Sequence, residues 1–420
     1  MAHIQKSIEF LIRKKWLGLL IVAGLVVGVG ISTLYRGVFG PKQRTDLTVY
    51  LAAGQMVAAG RADNIYRVVN VRHWHYVYAP LLAILLAPLS NWPRAATVPL
   101  AYLLSLCCLA GTVLFSRRFP EDARPAPWQI ALATIFCLPM ILNTLTRGQF
   151  GLLSLFFEAA VFYGYLKKQK VLTGLLLAFA VTLKISPLAF LAFFFLMKKE
   201  WKILASAAVG FGLFFFLVPS LAIGFHLNWE LLKTWKVLMS SSQSDTAYQH
   251  YLWGELFTPF AGDNQSLYAV LTRFAWPSES AFTGHSNAMI RTLSPSIGIA
   301  LLALLFIKPR RKDSAPEAQS PLKLLAEFSL FPMLMLFSSP VTQIHHYTVT
   351  YGLFLAALMM IKRYPAGSWP RKCLGIGVWT CALCLTLGMI FEWAGVWGLP
   401  LWGSMLLWTA VLCALKLKHS

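Results

Sequence analysis

Asp46 is the carboxylate around which a reaction could be built. It stands in the stretch PKQRTDLTVY, residues 41–50, directly after the first long apolar segment, and no other acid lies between Glu9 and Asp63. Lys184 interrupts an apolar run at LKISP, His345 and His346 sit side by side in SSPVTQIHH, and Arg147 and Gln149 share the turn NTLTRGQ. Asn264 and Ser266 stand in GDNQS, while Tyr50, Tyr66, His75, Tyr76 and Tyr78 surround the first acid with rings. One carboxylate, two histidines, a lysine and several amides form a set that a transfer reaction at a membrane face needs.

Each of these residues also has a plainer reading. Thr45 and Asp46 are both good N-caps for a helix starting at Leu47. A lysine in an apolar run can snorkel, and histidines and tyrosines collect at headgroup depth. Gln149 and Asn264 could satisfy helix ends. Which reading holds depends on whether the chain brings these residues to one place.

Of 420 residues, 57% are hydrophobic and 13% charged, and the mean hydropathy is +0.62. That is the composition of an all-α polytopic membrane protein. The net charge of +21 does not imply a nucleic-acid partner, because the Lys and Arg residues fall in short clusters between apolar runs, as the positive-inside rule requires. The seven cysteines lie in or beside apolar segments, which suits packing better than disulfides or metal. The basic start lacks a small-residue cleavage site after its apolar run, so that run is expected to be retained as a span.

Span length and basic flanks predict about twelve crossings in a single domain covering residues 1–420. Trp16–Tyr35 leads out, with Lys6, Arg13, Lys14 and Lys15 behind it. A first outer loop, 36–80, carries a short interfacial helix over Leu47–Gly60. Leu81–Ser90 is too short to cross and is expected to dip and return. Val171–Met197 is one apolar run with a lysine at its middle, costing about 3 kcal/mol at bilayer centre. Two short helices meeting at Lys184, Ser186 and Pro187 in an outward cavity remove that cost. A long outer loop spans 225–289, and the basic loop 308–323 is cytoplasmic. This topology places Asp46, the aromatic cluster, Arg147, Gln149, Lys184, Asn264, Ser266, His345 and His346 on the outer side.

Read in order, Asp46 after the first span, then Tyr76, Tyr78 and Pro80, Gly148 and Gln149, Lys184 with Pro187, Asn264, Gln265 and Ser266 with Arg273, and Ser339, Pro340, His345 and His346 resemble glycosyltransferase family 87. These are membrane-embedded enzymes of the C superfamily, related to mannosyltransferases that use polyprenyl-phosphate-mannose. The resemblance covers about Trp16 to Tyr364 and rests on order and spacing.

It implies a C-superfamily glycosyltransferase fold and transfer of one sugar, mannose first, from a polyprenyl-phosphate donor to a lipid or glycan hydroxyl with inversion. Asp46 would be the general base. Lys184, Arg147 and His345 or His346 would neutralise the phosphate. On an α-helix adjacent residues point about 100° apart, so the two histidines are not expected to face the site equally. Tyr50, Tyr66, His75, Tyr76, Tyr78, Gln149, Asn264 and Ser266 would contact sugar or acceptor. No cofactor or metal is expected, since Asp46 has no acidic neighbour. A monomer in the inner (plasma) membrane is expected, its site facing the periplasm or exterior. A lipid-linked glycan flippase or transporter and a polymer ligase are the rival readings. A transporter would be expected to carry an internal repeat, and neither TDLTVY nor LKISP recurs.

Overall fold

The computed structural model of the protein describes residues 15–40, 45–70, 74–240, 258–276, 284–307 and 320–416. Lys6, Arg13, Lys14, the middle of the loop 225–289 and most of the basic loop 308–323 lie outside the described residues. Among the described residues the chain is helical, with β-type pairing confined to the isolated bridges Val69 to His75 and Asn264 to Gln343.

The helices follow in order: α1 Lys15–Leu34, α2 Leu47–Ala58, α3 Pro80–Leu86, α4 Arg94–Arg117, α5 Pro127–Phe136, α6 Leu138–Arg147, α7 Gly151–Leu166 and α8 Lys170–Leu183. A single turn, Ile185–Leu188, precedes α9 Leu191–Met197; α10 Trp201–Phe211 continues through a wide turn to Ile223; α11 is Phe225–Ser240 and α12 is Leu267–Ala275. The remainder are α13 Gly284–Phe306, α14 Pro321–Ser338, α15 Thr350–Arg363, α16 Trp369–Ile390 and α17 Leu399–Lys416. Among the described residues six helical segments are long and apolar enough to cross a membrane: α4, Trp201–Ile223, α14, Ile344–Arg363, α16 and α17. The pair α5 and α6, bent by 58° at Cys137, makes a seventh, and α7, α8, Ile185–Met197 and Thr292–Phe306 are shorter apolar helices.

Ile344–Arg363 forms the centre, with 89% of its apolar window buried, whereas α4 and Trp201–Ile223 are 22% buried and form the lipid-facing rim. Between lipid and protein there is little hydrophobic force, so close backbone approach holds such helices together. Gly210 of α10 illustrates it: a Cβ there would come 2.6 Å from the Ala178 Cβ of α8.

The two ends of the bundle differ in chemistry. At one end Lys170 pairs with Glu200 at 2.8 Å, Lys198 pairs with Glu327, Arg363 donates to the Asp122 carbonyl at 2.5 Å, and Lys416 donates to the Leu304 carbonyl at 2.6 Å. The opposite end is built from loops that bond to one another. Gln265 donates through Nε2 to the Gly395 carbonyl at 2.8 Å, and Arg273 donates to the carbonyls of Pro259, Ala261, Asn264, Gly395 and Val396. Burial lowers the Arg273 pKa to about 10, which leaves it charged at neutral pH.

The expected break at Lys184 is present, with Leu183 ending α8 and Lys184 extended at φ −154° and ψ 106°. The segment from 225 differs from the expected outer loop, because its first part is the helix α11. Leu231 and Leu238 are buried, and that helical spacing makes an amphipathic face.

Candidate active site

Asp46 sits in the N-cap position of α2 without capping it. Its backbone is helical, at φ −67° and ψ −23°, and its side chain makes no cap hydrogen bond. The backbone N–H of Asp46 donates to the Arg147 carbonyl at 2.9 Å, tying the start of α2 to the end of α6. Gly148 then turns the chain left-handed, at φ +65°, and a Cβ there would lie 3.0 Å from the Leu47 Cβ. The turn delivers Gln149 to the carboxylate, where its Nε2 donates to the Asp46 Oδ2.

The polar contacts continue outward in one direction. The Tyr50 hydroxyl donates to the Gln149 Oε1 at 3.0 Å and lies 3.0 Å from the Tyr78 hydroxyl. With its one proton committed to Gln149, Tyr50 must accept from Tyr78. Burial pushes the Tyr78 phenol well above its usual range, so it stays a neutral donor. Every proton in this chain points toward Asp46, which is 4% exposed.

The carboxylate shares its cavity with basic groups. Asp46, Gln149, Lys184, His345 and His346 line one cavity of about 550 Å³, together with Tyr50, Tyr78, His75 and Trp74. The Lys184 Nζ and the Nδ1 atoms of both histidines are buried and have no hydrogen-bond partner. Both histidines reach the wall, although Ile344–Val349 is a 3-10 turn, in which adjacent side chains diverge by about 120°. Their rings meet edge to face, with centroids 4.4 Å apart. They are unequal in depth, since His345 is buried and His346 half-buried. An apolar part of the wall comes from Trp235, Leu238 and Met239 of α11, Pro295 of α13 and Met335 of α14, and Ser294, Ser338, Ser339 and Gln343 add polar groups beside it.

Five residues selected from the sequence are not on this wall. Arg147 pairs with Asp263 at 3.4 Å, and its guanidinium lies 5.9 Å from the Trp74 ring centre. The Asn264 Oδ1 accepts from the backbone N–H groups of Ser266 and Thr342 at 3.2 and 3.1 Å, and its Nδ2 donates to the Pro340 carbonyl at 3.3 Å. The Ser266 hydroxyl donates to the Pro340 carbonyl at 2.9 Å and accepts from the Ala269 N–H, capping α12. The Tyr66 hydroxyl donates to the Tyr78 carbonyl at 3.1 Å, and the Tyr76 hydroxyl donates to the Ala79 carbonyl and accepts from the Ala83 N–H. Apart from Arg147, these side chains are committed to backbone groups and hold the loops that carry the wall. Trp74, Ser186 and Trp235 line the cavity without having been selected. Ser186 and Trp74 belong to the LKISP and aromatic motifs, whereas Trp235 lies on α11, inside the stretch expected to be an outer loop.

Among the described residues, no three His, Cys, Asp or Glu side chains gather as a metal-binding group.

The family model of glycosyltransferase family 87 matches residues 76–340, more than half of the chain. The protein belongs to glycosyltransferase family 87. Within the family 87 match lie Tyr78, Gln149 and Lys184, whereas Asp46 precedes it and the histidine pair follows it. The family 87 chain is also similar to a polyprenol-phosphate-mannose-dependent alpha-(1-2)-phosphatidylinositol mannoside mannosyltransferase of Mycolicibacterium smegmatis, at 26% identity over 72% of this chain and 67% of that protein. No solved structure matches the chain.

Proposed function

We propose that this family 87 glycosyltransferase transfers one sugar, mannose first, from a polyprenyl phosphate to a hydroxyl of a lipid or glycan acceptor, inverting the anomeric centre. The observation that carries the reading is the shared cavity. It sets a buried carboxylate, held by Gln149, on the same wall as the unpartnered Lys184 amine and two imidazoles. The similarity to the mycobacterial mannosyltransferase supports a polyprenyl-phosphate-mannose donor; the acceptor that relative is named for, a phosphatidylinositol mannoside, supports a lipid-borne hydroxyl.

In this reading the acceptor oxygen attacks the anomeric carbon while Asp46 takes its proton. A new C–O bond forms and the bond from the anomeric carbon to the phosphate oxygen breaks. The leaving group departs as a phosphate monoester with both bonding electrons, so it needs positive charge and hydrogen-bond donors more than a proton. Lys184 supplies the charge, and the imidazoles supply donors. Buried, preorganised donors of this kind are worth more than they would be in water. The apolar flank formed by Trp235, Leu238, Met239, Pro295 and Met335 accepts the start of an isoprenoid chain. Gln149 is a positioning residue, and its neighbours Tyr50 and Tyr78, with His75 and Trp74, offer hydroxyl, imidazole and indole groups to a sugar.

The same reading extends to topology. Counting α1, α4, the bent α5–α6 pair, α7, α8, α9, α10 and α13 to α17 as crossings or half-crossings reaches twelve, in the manner of a C-superfamily enzyme. The lysine- and arginine-rich end then faces the cytoplasm, and the cavity opens to the periplasm or exterior.

The test is a donor panel. Purified protein should move radiolabelled mannose from polyprenyl-phosphate-mannose to a lipid extract and be inactive with GDP-mannose. Transfer from the nucleotide sugar, with every polyprenyl-phosphate sugar inert, would reject the donor assignment.

A further inference from the structure

A second cavity, of about 360 Å³, lies on the opposite side of α2 from the first. Its lining is polar: Thr45 and Thr48 at the start of α2, Gln55 further along it, and Ser90, Asn91 and Arg94 where the chain enters α4. Among its described lining residues there is one cation and no carboxylate. Arg94 is exposed. Thr45 is 2% exposed, and its hydroxyl is buried without a hydrogen-bond partner. An unmet buried hydroxyl is costly, so its place on the wall of a polar cavity points to a ligand that would bond it. The 24-residue helix α4 begins at Arg94 with no side-chain cap. Its first N–H groups and the positive end of its dipole therefore favour an anion at this spot.

The surroundings decide which anion. Trp92, on the rim, is 52% exposed, in keeping with a ring at headgroup depth. Along the adjoining faces of α1 and α4, Val27, Ile31, Leu103 and Leu104 are between 51 and 63% exposed, a lipid-facing surface on which acyl chains can lie.

We propose that this cavity binds the phosphodiester headgroup of an anionic membrane lipid. The phosphate takes the Arg94 guanidinium and the start of α4, and Thr45, Asn91 and Gln55 take headgroup hydroxyls. The site is independent of the donor assignment above, but Thr45 precedes Asp46 directly, so an occupied cavity also braces the start of α2.

The test is lipid binding to the purified full-length protein, titrated with phosphatidylglycerol and with phosphatidylcholine and read by native mass spectrometry. Wild type should favour phosphatidylglycerol by about tenfold or more, the factor that one good charged contact carries. Arg94→Gln should abolish that preference. Ala52→Phe, which fills the cavity from α2 and leaves the charge in place, should abolish it too. Because Arg94 is exposed, its variant is expected to keep wild-type helicity. Equal binding of the two lipids by wild type, or an undiminished preference in Arg94→Gln, would overturn the proposal. Glycerol 3-phosphate binding as tightly as phosphatidylglycerol would overturn the lipid assignment in favour of a soluble phosphate.

Discussion

Gln149 carries the clearest residue-scale prediction. Its amide is the donor to Asp46 and the acceptor from Tyr50, so Gln149→Leu removes a hydrogen bond to a charged group, worth about 1.5–3 kcal/mol. If that bond aligns the carboxylate for proton transfer, kcat falls by about 10- to 100-fold, with donor affinity little changed. Tyr50→Phe removes only the contact beyond it and should cost less. Steady-state kinetics on both variants checks this, and a larger loss for Tyr50→Phe would contradict the order of the contacts. Asn264 makes the opposite case. Asn264→Ala leaves the Ser266 and Thr342 N–H groups without their acceptor, which costs about 1–3 kcal/mol. Thermal unfolding should show the loss, while the choice of sugar stays as in wild type; altered sugar preference at full stability would place Asn264 on the substrate instead. At this scale the sequence was informative where a charge conflicted with its surroundings, as at Lys184, or stood alone, as at Asp46. It was uninformative for Asn264, Ser266, Tyr66 and Tyr76. Their partners are backbone carbonyls and N–H groups, and sequence does not say which loop will supply those.

Elements position the site through a few breaks. The α8 break at Lys184 was legible because a charge at the middle of a 27-residue apolar run, residues 171–197, has an energetic cost that a broken helix removes. The 58° bend between α5 and α6 has a visible signal in Pro139 at the start of α6. The turn at Gly148 is the element on which Asp46 most depends. Gly148→Ala puts a side chain in the left-handed region, at about 1–2 kcal/mol, and presses it on Leu47. The expected result is a lower unfolding temperature together with reduced transfer, since the α6–α7 turn and the start of α2 move apart. Full activity in Gly148→Ala, measured beside its unfolding temperature, would show that this turn does not set the Asp46 geometry.

At the scale of the whole molecule, loops about three hundred residues apart converge on one cavity, from Asp46 to His346, and basic groups gather at the other end of the bundle. Single cysteines at Asp63 and Lys362, both exposed, mark the two ends. In intact cells a membrane-impermeant maleimide should label Asp63→Cys and leave Lys362→Cys untouched until the membrane is opened; the reverse pattern would turn the orientation around. The overall helical class was legible from composition alone. Which helix occupies the centre was not, because α4 and α15 are both apolar and only packing shows that one faces lipid and the other protein. The proposed reaction divides labour within the cavity, the carboxylate acting on the acceptor and the cations on the phosphate. Paired measurement of donor binding and turnover for Asp46→Asn and Lys184→Gln tests it most directly. Asp46→Asn should bind polyprenyl-phosphate-mannose as wild type does while turnover falls by about 10²- to 10⁴-fold, and Lys184→Gln should weaken donor binding itself. Wild-type turnover in Asp46→Asn, or undiminished donor affinity in Lys184→Gln, would contradict the account.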